Sequence, residues 1–336
     1  MNRGIKYCIL AAVLIVMLFV LNLAVGSIRI PVADVLRILL GHHPENETWR
    51  FIILQSRLPQ AITATLAGPA LAVSGLLLQS AFRNPLAGPD VFGINSGAGL
   101  AVAIVMLFMG GTVTAGSYSI SGYLAILAGA FAGAMIVTGV IFFFSTIVHH
   151  TIMLLIIGIM IGYLSGSMIS LLNFFASDEG VKSYMIWGMG NFGSVSLSDL
   201  PVFVSVTAVG LFLSILLIKP LNAILLGEQY AENLGFSTRQ IRNWLLVVTG
   251  ILTAVTTAFC GPIAFIGLAT PHIARMILST SNHRQLLPAT LLTGAIIALL
   301  CNVICCLPGE NGVIPLNAVT PLIGAPVIIY VIAKKR

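Results

Sequence analysis

Charge is what this sequence has least of. Of its 336 residues only 8% are Asp, Glu, Lys or Arg, while 58% are apolar; soluble domains carry roughly 25% charged residues. Too little charge is present to clothe a soluble globule of this length, so the chain belongs in a bilayer. Acidic residues number ten, and Asp90, Asp199 and Glu310 all stand at the ends of uncharged runs. A carboxylate at mid-membrane costs about 2.5–3.5 kcal/mol on insertion scales and is kept for function. The lack of one argues against a proton- or sodium-coupled carrier. No glycine precedes a lysine anywhere, which removes every G-x-x-x-x-G-K-[ST] phosphate loop. The five cysteines form no CxxC pair and fall in or at the ends of apolar runs. Cys301 and Cys305 share a helix face and read as buried small residues. No catalytic residue, metal set or cofactor site emerges.

What is present is apolar length. Uncharged runs cover Tyr7–Ile28, Leu58–Phe82, Val91–Ser177, Leu200–Ile218, Asn243–Ala274, Gln285–Gly309 and Asn311–Ala333, each long enough for the ~20 helical residues that span a hydrocarbon core. They are continuously apolar rather than alternating, which disfavours a β-barrel. Val91–Ser177 divides at "GGTVTAGSYSISG" and at His149-His150, and Asn243–Ala274 at Cys260-Gly261-Pro262, where proline removes a donor. The sequence predicts an all-α polytopic protein of ten spans, near 7–27, 58–82, 92–109, 123–147, 151–176, 200–219, 243–260, 263–279, 286–307 and 314–333. Residues 1–336 form one transmembrane domain, with 220–242 as its cytoplasmic loop. The apolar run near the N-terminus exceeds the 7–15 residues usual in a cleaved signal and is read as the first helix.

An even number of spans puts both termini on one face. With the N-terminus inside, eleven basic residues are cytoplasmic, among them Arg83, Lys219, Arg239, Arg242, Arg275 and Arg284. Five are outside: Arg29, Arg37, Arg50, Arg57 and Lys182. Lys and Arg are retained on the cytoplasmic side, so both termini are assigned there. The net charge of +6 is topology signal, and no nucleic-acid partner is expected.

One cytoplasmic turn carries more than a turn requires. "FRNPLAGPD" (Phe82–Asp90) stops transfer at Arg83, turns at Asn84-Pro85 and blocks helix at Pro89. Its wider context, "RLPQAITATLAGPALAVSGLLLQSAFRNPLAGPDVFGINSGAG", resembles the FecCD-type permeases of bacterial ABC importers for iron–siderophore complexes, haem or vitamin B12. "WGMGNFG" (Trp187–Gly193), "LNAILLGEQYAENLG" (Leu221–Gly235), "GPIAFIGLATPHIAR" and "HRQLLP" continue the likeness in the same order. Where the family commonly has arginine, an acidic residue, arginine and glycine, this chain has Gln60, Asn302, Cys306 and Asn317.

The resemblance implies an inner-membrane permease paired with a second copy, two ABC ATPases that bind ATP and Mg, and an extracytoplasmic substrate-binding protein. "LSGS" at Leu164–Ser167 is like the ABC signature only superficially, since it lies in an apolar span. By the same resemblance Leu226, Gly227, Glu228, Ala231, Leu234 and Gly235 form the coupling segment in the ATPase cleft. "EQYAENLG" can form a short helix with Ala231 and Leu234 on one side and Gly235 as C-cap. Span five has glycines every four residues, a spacing for close helix approach. Together with its polar residues it gives Gly158, Gly162, Ser165, Gly166, Ser170 and Asn173, which the resemblance places on the translocation path. Arg50, Arg57 and Lys182 remain for docking the binding protein. His272 is expected to pack or hydrogen-bond near a helix end. "GPALAVSG" and "GPIAFIG", assigned to spans of opposite direction, hint at an inverted repeat. A motor-independent carrier or exporter and a membrane scaffold are the competing readings.

Overall fold

The structure, a computed structural model, describes residues 3–42, 46–110, 112–115, 118–148, 151–309 and 312–334. The predicted break at His149-His150 and the span end at Glu310 lie outside them. Fifteen helices follow in order: α1 (Arg3–Ala24), α2 (Val32–Leu39), α3 (Glu47–Ile52), α4 (Leu58–Ala81), α5 (Ile94–Ala103), α6 (Tyr123–Ile147), α7 (Thr151–Phe175), α8 (Asp178–Gly188), α9 (Leu200–Leu216), α10 (Ile218–Leu225), α11 (Glu228–Asn233), α12 (Thr238–Cys260), α13 (Ile266–Leu278), α14 (His283–Cys306) and α15 (Leu316–Lys334). A wider π turn, Ile53–Arg57, joins α3 to α4, and another, Ile104–Phe108, extends α5. The "GGTVTAGSYSISG" break folds as an antiparallel hairpin of β1 (Thr112–Ala115) and β2 (Tyr118–Ser121).

Six helices are long and apolar enough to cross a membrane, and α9 with α10, bent by 46°, makes a seventh if taken as one span. The other predicted spans, near 92–109, 263–279 and 314–333, fall on shorter apolar helices, Ile94–Phe108, Ile266–Leu278 and Leu316–Val331. A full crossing needs about 20 residues, and proline and loop segments take up part of each.

The core is built around α4, which packs against α14, α12, α13 and α9. Its sequence is rich in Ala, Gly and Ser, and small residues let helix backbones approach where no water-driven force separates core from lipid. Glycines meet glycines. A Cβ on Gly68 would stand 2.2 Å from the Gly294 carbonyl oxygen, and one on Gly133 2.3 Å from that of Gly97. Gly129 and Gly133 of α6 both serve internal packing, the first with a Cβ position 3.1 Å from Val105.

Contacts at the two ends fix the direction of each helix. At one end Tyr7 bonds Thr293, Ser80 bonds His283, and Arg242 bonds Ser145. At the other, Asn22, Gln60 and Asn302 form a chain of amides. The first end holds Arg83, Arg275 and Arg284 and is the cytoplasmic one by its basic residues; α1 begins there and α15 ends there. Gly75 and Gln79 of α4 climb alongside Gly267 and Arg275 of α13 in the same sense. The first glycine-proline motif lies on α4 and the second leads into α13; these helices run parallel, and the predicted inverted repeat between them does not hold.

Candidate functional site

The turn after α4 is a structural junction. Asn84 accepts from the Leu86 amide through Oδ1 at 2.9 Å, closing an Asx turn. Arg83, with φ of +45°, reaches the Ile224 carbonyl of α10 at 3.0 Å through Nη2. The Pro85 carbonyl accepts from His272 Nε2 at 2.8 Å; a carbonyl only accepts, so Nε2 carries the proton. His272 has the hydrogen-bonding role expected of it. Arg83, Asn84 and Pro85 thereby tie the turn to α10 and α13, which explains their fixed order.

Beyond Pro85 the chain does not stay at the cytoplasmic surface. Pro89 lies 3.4 Å from where a Gly267 Cβ would stand, and Gly93, φ +72°, abuts the Gly158 carbonyl. Gly158 is seven residues into α7, about 10 Å at helical rise. Asp90, three residues before Gly93, therefore leads into a contact within α7 rather than at its start, deeper than the span end that the sequence suggested. Its side chain is exposed in the single chain and accepts from the Asn95 amide, whose oxygen accepts from Thr257 Oγ1 at 2.7 Å. The sequence hides this because α5 starts deep, and the turn climbs back to meet it.

In the cytoplasmic loop α11 ends in a complete Schellman motif. The Gly235 amide bonds the Glu232 carbonyl at 2.9 Å and Phe236 bonds that of Ala231 at 3.0 Å. Gly227 (φ +124°) and Gly235 (φ +83°) bracket the helix in conformations that side chains disfavour. Leu226 and Leu234 are exposed, at 66% and 54%, whereas Ala231 is 0% exposed and packs within its own chain. This corrects the expectation that Ala231 faces an ATPase. Tyr230 of α11 is also exposed, at 51%, four residues before Leu234 on the same helix; it is not among the residues expected to couple, and Leu226 lies before the Gly227 break, at the end of α10. Of Glu228 only the backbone is described.

The span-five set divides between two faces of α7. Gly158 packs on the Phe92 backbone, Gly162 touches Ser96, and Ser165 is 4% exposed. These three face α5, which corrects their placement on a path. Gly166 and Ser170 are open. Asn173 is half-buried, with its side-chain oxygen unpartnered among the described residues.

Of the three basic residues expected outside, Arg57 is 6% exposed. Its Nη1 donates to the carbonyls of Leu23 at 2.8 Å and Ala24 at 3.0 Å, and Nη2 to Ile28. It caps the C-terminus of α1, where orphan carbonyls need donors, and is not available for docking. Arg50 on α3 and Lys182 on α8 are exposed. Two departures from the family pattern meet, since Gln60 Nε2 donates to Asn302 Oδ1. Asn317, another departure, joins three segments: its amide bonds the Gly188 and Pro262 carbonyls at 3.0 and 2.6 Å, and its oxygen accepts from Ala264.

A many-helix apolar bundle whose longest basic-side loop carries a short helix bracketed by two positive-φ glycines fits a membrane permease of the ATP-binding-cassette import class. The chain belongs to the FecCD transport family, whose profile matches residues 14–334. It is 32% identical to the hemin transport system permease protein HmuU of Yersinia pestis, covering all of this chain and 98% of that one. It is 33% identical to the vitamin B12 import system permease protein BtuC of Citrobacter koseri, covering all of this chain and 96% of that one. A solved structure described as an inward-facing conformation of a metal-chelate type ABC transporter superposes with a TM-score of 0.85 at 28% identity, covering 98% of this chain and 99% of the other.

Proposed function

We propose that this permease works in the bacterial inner membrane as one of two copies around a central path. Two partner ATPases bind ATP and Mg and drive it, and an extracytoplasmic binding protein feeds it through Arg50 and Lys182. The cargo is a large preformed metal chelate: a ferric siderophore, haem or cobalamin. The open positions of α7, Gly166 and Ser170, offer no metal-ligating side chain, which suits a chelate and not a bare ion.

The observation that carries this reading is the exposed apolar set Leu226, Tyr230 and Leu234, with Tyr230 and Leu234 on a short helix held between two positive-φ glycines and Leu226 at the end of α10 just before it. Exposed apolar residues on a cytoplasmic loop need a partner to cover them. ATP-driven movement of the ATPases would reach the bundle through α11 and α10, and from α10 through the Arg83–Ile224 bond.

The test is the variant Tyr230→Asp/Leu234→Asp, expressed with its ATPase and binding protein. It should insert and purify normally, lose ATPase co-purification, and lose uptake of whichever of ferric siderophore, haem and cobalamin the wild type accumulates. Retained co-purification and uptake would remove this exposed set from coupling.

A second reading is favoured by Asp90 alone, because a carboxylate set deeper than a span end is also what an ion-coupled carrier needs. Deleting the ATPase gene decides between the two. Uptake that persists, and that Asp90→Asn abolishes, would favour the carrier.

A further inference from the structure

We infer that the cytoplasmic cavity between α4, α10, α13 and α14 is a phosphate-binding site, built to hold the headgroup of an anionic phospholipid or a soluble phosphate. The cavity is about 480 Å³, and its polar wall includes Gln79, Ser80, Arg83, His272, Arg275 and His283.

Two guanidiniums face it without a carboxylate. Among the described residues the one ion pair is Arg37–Asp34, remote from this site. Arg275 spends one contact on Gln79, from Nη1 to Oε1 at 2.7 Å. That glutamine is itself oriented by donating to the Leu268 carbonyl at 3.1 Å, so its oxygen necessarily faces Arg275. Arg83 gives one bond to Ile224. A guanidinium has five N–H donors in a planar fork that matches oxyanions. Both arginines are thus positioned by neutral acceptors, with most donors unpaired among the described residues. Arg275 is half-buried in the cavity wall and Arg83 is exposed at its edge, so the two together present guanidinium donors that an oxyanion can accept from.

The depth and the remaining walls favour phosphate over a protein carboxylate. Arg275 is in the last turn of α13. The α10 helix, bent 46° from α9, turns Leu221 and Ile224 into the bundle and closes one wall of the cavity with them. Leu225, Met276 and Val331 add apolar surface to the same cavity, which suits glycerol and acyl carbons below a charged head. Basic pockets between helix ends on the cytoplasmic side are the usual form of such sites. A choline headgroup would bring its own cation against the two arginines and is disfavoured.

The inference stands apart from the coupling role of α11 and is tested on the full-length permease without its ATPase. Native mass spectrometry with phosphatidylglycerol and phosphatidylcholine should show retained phosphatidylglycerol with roughly tenfold preference. Arg83→Gln and Arg275→Gln should each erode that preference, and Arg275→Lys should keep part of it. Arg83 is exposed, so its variant stays informative if Arg275→Gln fails to fold. Millimolar inorganic phosphate that raises the melting temperature in wild type but not in Arg83→Gln, without any lipid preference, would assign the site to soluble phosphate. Loss of neither signal in the arginine variants overturns the site. So does a result in which they alter only ATPase co-purification, which would assign the cavity to a carboxylate of that partner.

Discussion

Gln60 on α4 donates from Nε2 to Oδ1 of Asn302 on α14 at 3.0 Å, and Asn302 passes the chain on to Asn22 Oδ1 of α1 at 2.6 Å. Three helices are joined near their outer ends by the neutral amides of Gln60, Asn302 and Asn22. A charge introduced at one position only would be left unpaired. Gln60→Arg should lower the melting temperature, at a cost of about 3 kcal/mol or more. Adding Asn302→Asp should recover most of it. A double-mutant cycle by thermal unfolding in detergent measures the coupling, and additive effects would refute it.

Arg57 and Arg50 should part company in the same assays. Arg57→Ala uncaps α1 and leaves the Leu23 and Ile28 carbonyls without a donor, while Ala24 keeps the Ile30 amide, so it should cost about 1–3 kcal/mol of stability. Arg50→Glu should leave the melting temperature unchanged and weaken capture by the binding protein, more so at low salt, where surface charges are felt most. Surface plasmon resonance at two ionic strengths reads the second effect.

Glycine substitutions should follow contact rather than sequence spacing. An Ala at Gly75 puts its Cβ 1.7 Å from the Gly267 carbonyl oxygen, whereas at Gly166 nothing lies within 4 Å. Gly75→Ala should therefore force α4 from α13 and cost about 1–3 kcal/mol by overpacking, with lost expression as the first sign. Gly166→Ala should express and melt as wild type.

Ala231→Arg should act on the loop before it acts on any partner. The residue is wholly buried, and a charge there must break the packing of α11 on α12. Limited proteolysis of the isolated permease should show faster cleavage within 220–242. Tyr230→Ala, on the outward face, should cleave at the wild-type rate while losing ATPase binding.

The sequence by itself determined the membrane class, the helical class, the shared face of the two termini and the family. Each rests on a property that accumulates along the chain: apolar length, the placement of Lys and Arg, and the order of motifs from Arg57 to about Pro326. It also located the loop that carries α11 and its C-cap, because Gly235 marks its conformation locally. Which way a residue faces was decided by packing. Ala231 and Leu234 lie three residues apart and yet are buried and exposed, since α12 covers one side of a helix only six residues long. Arg57 reads as a surface charge until α1 ends beside it with carbonyls to satisfy. Asp90 reads as the end of a span until Gly93 packs on Gly158 and holds the returning turn against the interior of α7. Depth and facing depend on the neighbouring helix, and no local pattern in the chain encodes that neighbour.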